Sequence, residues 1–215
     1  MKTISNNKGN FILFDFDGVI AASFAAAFEV NKKICPHTTE DDYRKRFEGN
    51  VNDWQELNHT KECRPDIDFF DEYIPRMKNE VTLAAGIADI LKELSNSYTL
   101  IIISSTITSP IQDFAERNHV ANYFTEIMGN DVHVSKVEKI KMVFEKYNIS
   151  SDQCVFITDT LGDIREATKT GVGAIGVTWG FHDRKTLLHG NPFRLVERSA
   201  DIVLVVADYF NKIKG

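Results

Sequence analysis

Cysteine is scarce in this chain: three in 215 residues, Cys35, Cys63 and Cys154, an odd number with no C-x-x-C spacing. That usage suits a reducing compartment without a disulfide framework, and the cytoplasm is the expected location. A basic excess is missing as well, since 25 Lys and Arg face 31 Asp and Glu for a formal net charge of −6. Without a broad cationic surface, neither nucleic acid nor anionic membrane is an expected partner. No apolar run approaches membrane-spanning length, and the N-terminal MKTISNNKGN lacks the apolar core of a signal peptide. Internal repeats and low-complexity linkers are also absent. The length then suits one large domain, or a core domain carrying a smaller insert.

Short apolar runs bounded by polar or turn residues are what the chain has in quantity. They are Phe11–Phe14, Leu100–Ile103, Val155–Ile157, Ala174–Val177 and Ile202–Val206. Near-continuous apolarity, in place of alternation, is the pattern of strands covered on both faces of a parallel sheet. Between them, GIADILKEL, PIQDFAERN, KVEKIKMVFEKY and GDIREATKTG carry helical spacing. Strands alternating with helices predict an α/β fold with a doubly wound, mostly parallel, Rossmann-like sheet. Ser109-Pro110-Ile111-Gln112 predicts a capped helix start, with proline at the first helical position.

One interval, residues 21–83, breaks this alternation. It has no β-branched apolar run and is dense in charge and aromatics, among them Phe24, Phe28, Tyr43, Phe47, Trp54, Phe69, Phe70 and Tyr73. Its spacing predicts a small helical domain, inserted into a core made of residues 1–20 and 84–215. Cys35, His37, His59 and Cys63 meet no standard zinc-ligand spacing, so buried thiols and surface histidines are expected there. Tyr43–Phe47, YRKRF, is expected to be a solvated basic helix face.

The unusual polar residues follow the predicted strands. Asp15 and Asp17 come after the first, Ser104, Ser105 and Thr106 after the second, and Asp159 and Asp163 after Val155–Ile157. Ligands of open α/β sheets bind beyond the carboxyl ends of the strands, so these groups converge on one edge. Residues i and i+2 of an extended segment point the same way, which lets Asp15 and Asp17 share a site. Four clustered carboxylates require a cation, and hard oxygen ligands suit Mg²⁺.

These residues, taken in order, resemble the four motifs of the haloacid-dehalogenase-like superfamily, most of whose members are phosphatases. DFDGV around Asp15 is similar to the first motif, and Ser104 after an apolar strand to the second. Lys136 in VSKVEKI stands where the third motif's lysine is expected, with Lys139 close by as an alternative. DTLGD, holding Asp159 and Asp163, is similar to the fourth. The helical insert resembles the cap found after motif one. GVTWGF resembles the phosphoglycolate-phosphatase-like and β-phosphoglucomutase-like members.

The resemblance implies a Mg²⁺-dependent phosphatase acting on a small phosphorylated metabolite, as a monomer or small homo-oligomer. It makes Asp15 the nucleophile, Asp17 the acid and base, and Ser104, Ser105 and Lys136 the phosphate-binding groups. Asp15, Asp17, Asp159 and Asp163 become the metal set, Asp17 through its backbone carbonyl. A phosphomutase would use the same motifs, and a non-catalytic phosphate-binding protein is a third reading. Dehalogenation is disfavoured, because Asp17 supplies an acid/base that carbon–halogen displacement does not need.

Overall fold

The computed structural model of the chain describes residues 9–51 and 63–213. Six parallel strands form one sheet in the order β3-β2-β1-β4-β5-β6. The strands are β1 (Phe11–Phe14), β2 (Thr99–Ile103), β3 (Phe124–Met128), β4 (Cys154–Thr158), β5 (Gly173–Val177) and β6 (Arg194–Val196). This is the doubly wound α/β architecture that the apolar runs predict. The order reverses at β1, which pairs with β2 on one side and β4 on the other, and this is where such sheets bind ligands.

Alternate residues of each strand go to opposite faces. Ile12 and Phe14 join Leu100, Ile102, Val155 and Ile157 on one face, under α4 (Ile87–Ser95), α5 (Thr108–Arg117) and α9 (Ile202–Ile213). Phe11 and Leu13 join Ile101, Ile103 and Phe156 on the other, under α6 (Lys136–Tyr147) and α7 (Leu161–Lys169). Burial on both faces is why these strands are apolar throughout and show no alternation. A short helix, α8 (Arg184–Leu188), links β5 to β6. Among the described residues no helix is long and apolar enough to cross a membrane.

Two local expectations are corrected. Ile202–Val206 is the start of helix α9, not a strand. Ile202, Val206, Tyr209 and Phe210 are buried while Leu204 is 73% exposed, the one-sided burial of a helix that a run of five apolar residues conceals. Ser109 does not cap α5, which starts at Thr108 with no side-chain bond from its N-cap residue Ile107. Asp131 caps it from a distance, accepting from Thr108 N and Oγ1, both at 2.7 Å.

The described part of residues 21–83 is helical. It holds α1 (Phe24–Ile34), α2 (Glu40–Lys45) and α3 (Phe69–Asn79), with α1 packed on α3. An antiparallel bridge between Ala21 and Leu83 brings its two ends together. Thr39 and Asp68 cap α2 and α3 through side-chain oxygens, so local sequence supports both starts.

The cysteine expectation is overturned here, because Cys35 and Cys63 form a disulfide. Distance along the chain hid the pair, and with it goes the argument from cysteine usage for a reducing compartment. His37 Nε2 lies 3.9 Å from Cys63 Sγ, while His59 and Trp54 lie outside the described residues. Only Cys154 is free, and burial pushes its thiol up to about 12. Alkylation in denaturant should therefore label one thiol before reduction and all three after it, by intact mass. Cys35→Ser should lower the stability of the oxidised protein by about 2–4 kcal/mol. Three labelled thiols without reductant would remove the disulfide.

Candidate active site

Each strand end contributes as its position dictates. Asp15 follows β1 directly and its N–H donates to Ile157 O of β4 at 2.9 Å, so the first residue past the sheet is still held by it. Asp159 follows β4 in the same way, and Asp163 lies in the first turn of α7. The chain can turn at Gly18 because glycine tolerates its φ of +75°. A Cβ there would stand 1.9 Å from Asp159 Oδ2, and one at Gly180 would stand 2.1 Å from it. Two glycines thus let backbone close around the Asp159 carboxylate.

Lys136, at the first position of α6, reaches two of these acids. Its Nζ lies 2.9 Å from Asp15 Oδ1 and 2.7 Å from Asp163 Oδ2, and all three side chains are buried. Asp163 Oδ2 also accepts from Thr158 Oγ1 at 2.7 Å. Lys139 Nζ donates instead to the carbonyls of Ser104 and Gly129, at 2.6 and 3.2 Å, and braces the ends of β2 and β3. Of the two lysines, Lys136 is the one beside the carboxylates. Burial and the nearby Lys136 charge pull the Lys139 ammonium down to about 8.

The cluster holds more carboxylates than cations, and its electrostatics reflect that. Burial, acting with the charges of Asp163 and Asp159, raises Asp15 well above the ordinary carboxylate range despite Lys136. Burial pushes Asp159 up to about 7, against a bond from Phe181 N. Burial acts upward on Asp163 too, but the Lys136 charge and its hydrogen bonds bring it below the usual value. One ammonium serves both Asp15 and Asp163, so the three acids together are left short of positive charge.

Asp17 points elsewhere. Its Oδ2 accepts from Thr106 Oγ1 at 2.7 Å and its Oδ1 from Tyr73 OH at 2.5 Å. Thr106 comes from the loop after β2, and Tyr73 from α3 in the inserted helices. In the sequence Thr106 is one of three hydroxyls after β2, and Tyr73 is one of many aromatics in residues 21–83. Fifty-six residues separate Tyr73 from Asp17, and no local signal marks the pair. Ser104 is wholly buried, and its Oγ accepts from Thr106 N at 2.9 Å. Ser105 and Thr106 border the open space.

That space is a cavity of about 410 Å³ between the inserted helices and the strand ends. Asp15, Asp17, Ser105, Thr106, Lys136 and Asp163 line its floor, and Tyr43, Phe47, Phe69 and Phe70 line its upper walls. Phe181 ties the two parts together. Its N–H donates to Asp159 Oδ2 at 2.6 Å, its ring meets those of Phe24 and Phe47, and its carbonyl accepts from Arg44 of α2. Arg44 thus docks on the core instead of presenting a solvated basic face. His182 makes a second tie, with Nε2 2.8 Å from Arg44 O.

The donor set fits a hard divalent cation. Asp159 is wholly buried and its Oδ1 has no hydrogen-bond partner. An orphaned carboxylate oxygen in the interior is costly, and a cation is the partner that its charge calls for. Among the described residues no three acidic, histidine or cysteine groups already surround one point. Mg²⁺ does not need three, since it keeps several waters and takes one or two carboxylates.

The profile of the haloacid dehalogenase-like hydrolases matches residues 12–177. A phosphoglycolate phosphatase of Synechococcus elongatus is 24% identical over 203 residues, spanning 91% of this chain and 96% of its own. Among solved structures, a haloacid dehalogenase-like hydrolase of Streptococcus pneumoniae superposes with a TM-score of 0.71 at 24% identity, covering 92% of this chain and 98% of that one. CbbY of Rhodobacter sphaeroides, solved in complex with phosphate, gives 0.71 at 20% identity, over 90% and 96%.

Proposed function

The chain belongs to the haloacid dehalogenase-like hydrolases, and from that membership we propose that it is a Mg²⁺-dependent phosphatase of a small phosphate monoester. The observation that carries this reading is the placement of Asp15 on the cavity floor, beside Lys136 and within reach of the space above Asp17. In the first step an Asp15 oxygen bonds to phosphorus while the bond from phosphorus to the leaving oxygen breaks. Asp17 gives that oxygen its proton. In the second, water attacks phosphorus, Asp17 takes the water's proton, and Asp15 is released as a carboxylate with free phosphate. Thr106 and Tyr73 hold the Asp17 carboxyl in place for both transfers. Lys136 and the Ser105 hydroxyl offer positive charge and a donor to the phosphoryl oxygens, while Ser104, buried beneath them, supports the loop by accepting from Thr106 N.

Asp15, Asp159 and the Asp17 carbonyl would hold Mg²⁺, with Asp163 fixing Lys136 beside them. When bound, Mg²⁺ neutralises the repulsion between a carboxylate and a phosphate dianion. Residues 21–83 would act as a cap, their helices closing over the cavity to limit bulk water.

Hydrolysis of p-nitrophenyl phosphate, with Mg²⁺ and with EDTA, tests the reading. Asp17→Asn should reduce turnover by roughly two orders of magnitude, and more for alkyl than for aryl phosphates, whose leaving groups need less protonation. Equal losses for both classes would remove Asp17 as the acid. A wild type unaffected by EDTA would remove the metal.

A further inference from the structure

Asp15, Asp17 and Asp163 are not the only acids on the cavity. Glu166, one turn beyond Asp163 on α7, also lines it, is buried, and belongs to none of the four motifs. A buried carboxylate beside a phosphoryl site needs partners, since its charge would otherwise oppose an anionic substrate. Those partners come from two parts of the molecule. Asn50 of the insert donates from Nδ2 to Glu166 Oε1 at 3.1 Å. Burial, and then the Asp163 charge, raises Glu166 above the ordinary carboxylate value, while the Lys136 ammonium and a hydrogen bond from the Lys136 main-chain N–H act against them. That N–H is the first of α6, so no carbonyl of the helix can take it, and the helix's positive end favours an anion there.

The insert is seated on the same helix. A Cβ on Gly162 of α7 would stand 2.2 Å from Gly49 O, so glycine is what lets the two backbones meet. Arg165, next to Glu166, donates to Glu48 O at 2.5 Å. Residues 48–50 therefore lie against α7, and Asn50 is where they reach a side chain of the site.

We infer that Glu166 is a positioning residue, joining Asn50 of the insert to the start of α6 so that seating of the insert fixes where Lys136 stands. The inference deepens the phosphatase reading and rests on it for the role of Lys136 beside the phosphoryl group. Asp163 holds the ammonium end of Lys136, and Glu166 holds its main-chain end. With both ends held, the ammonium keeps its 2.9 Å approach to Asp15. Seating of the insert thereby bears on the chemistry as well as on access.

Kinetics with p-nitrophenyl phosphate and Mg²⁺, together with amide hydrogen exchange followed by NMR, test this. Glu166→Leu keeps most of the volume and removes both bonds. Its kcat should fall about tenfold while KM stays within about twofold, because a group that acts in the transition state has moved. Glu166→Gln should stay within about threefold of wild type, since its carbonyl can accept from Lys136 and its amide can donate to a turned Asn50. Asn50→Ala should lose about threefold, and combining it with Glu166→Leu should lose nothing more. The Lys136 N–H should exchange at least about tenfold faster in Asn50→Ala and in Glu166→Leu, with the Glu138 N–H, capped by Ser135, unchanged. Additive losses in the double variant, a change in KM alone, or Lys136 exchange at the wild-type rate in both single variants would overturn the inference. A wild type that hydrolyses no phosphate ester would sink the phosphatase reading, and the exchange rates would then decide alone whether Glu166 links Asn50 to Lys136. An active wild type with unchanged exchange in both variants would do the reverse.

Discussion

Asp15→Asn should abolish phosphate ester hydrolysis, by about four orders of magnitude or more, while the fold stays intact. The amide is nearly the same size as the carboxylate, and its oxygen can still accept from Phe16 N and from Lys136, which contact Asp15 Oδ1 at 2.8 and 2.9 Å. What it cannot do is form the acyl-phosphate, so chemistry is lost and geometry is kept. The metal-free variant should be at least as stable as wild type, because one of three crowded carboxylates has lost its charge and Lys136 retains Asp163. Turnover of p-nitrophenyl phosphate and a thermal melt in EDTA check the two halves. Turnover within tenfold of wild type would mean that the nucleophile is another group. A collapsed melting temperature would mean that Asp15 is chiefly structural.

How much of this was legible beforehand depended on whether the signal was local. β1, β2, β4 and β5 announce themselves because burial on both faces demands unbroken apolar runs. β3 and β6 do not, since they are the sheet's edges and partly exposed, and β6 is only three residues long. The run Ile202–Val206 misleads because β-branched residues favour strands, yet Tyr209 and Phe210 further along complete a helical face. The acids were legible because each sits at a fixed offset from a strand end. Their helpers were not: Tyr73 and Phe181 reach the site by tertiary packing, from positions where an aromatic has many ordinary reasons to occur. The Cys35–Cys63 pair escaped for the same reason, with 28 residues between partners. Lys136 and Lys139 lie three apart on one helix, and only the end of a neighbouring strand distinguishes them.

That distinction carries the second large effect. Lys136→Met keeps most of the side chain's volume but leaves Asp163 and Asp15 buried without their cation. In EDTA this should cost about 3–5 kcal/mol of stability, the usual consequence of removing one partner from a buried ion pair. The loss has a definite pH dependence. In the wild type Asp163 is held below its ordinary value, so its pairing stabilises the fold above about pH 4 and fades only as pH falls through that lowered value. In the variant burial is opposed chiefly by the hydrogen bond from Thr158 and should raise the same group above its unfolded value, so stability is present below about pH 4 and falls as pH rises. The gap between the two proteins should therefore widen from pH 4 to neutrality. Mg²⁺ should narrow it, since a bound cation contributes about 2.7 kcal/mol at a hundredfold excess over its dissociation constant, and carboxylates freed from Lys136 bind it more tightly. Lys139→Met is the control, because that amine serves two carbonyls and no carboxylate, and its loss should not respond to Mg²⁺ beyond the wild-type gain. Urea unfolding at several pH values, with Mg²⁺ and with EDTA, measures every arm. A Lys136→Met protein as stable as wild type at neutral pH in EDTA would mean that the acids are already protonated there. A penalty that Mg²⁺ leaves unchanged would mean that the cation site does not share these carboxylates.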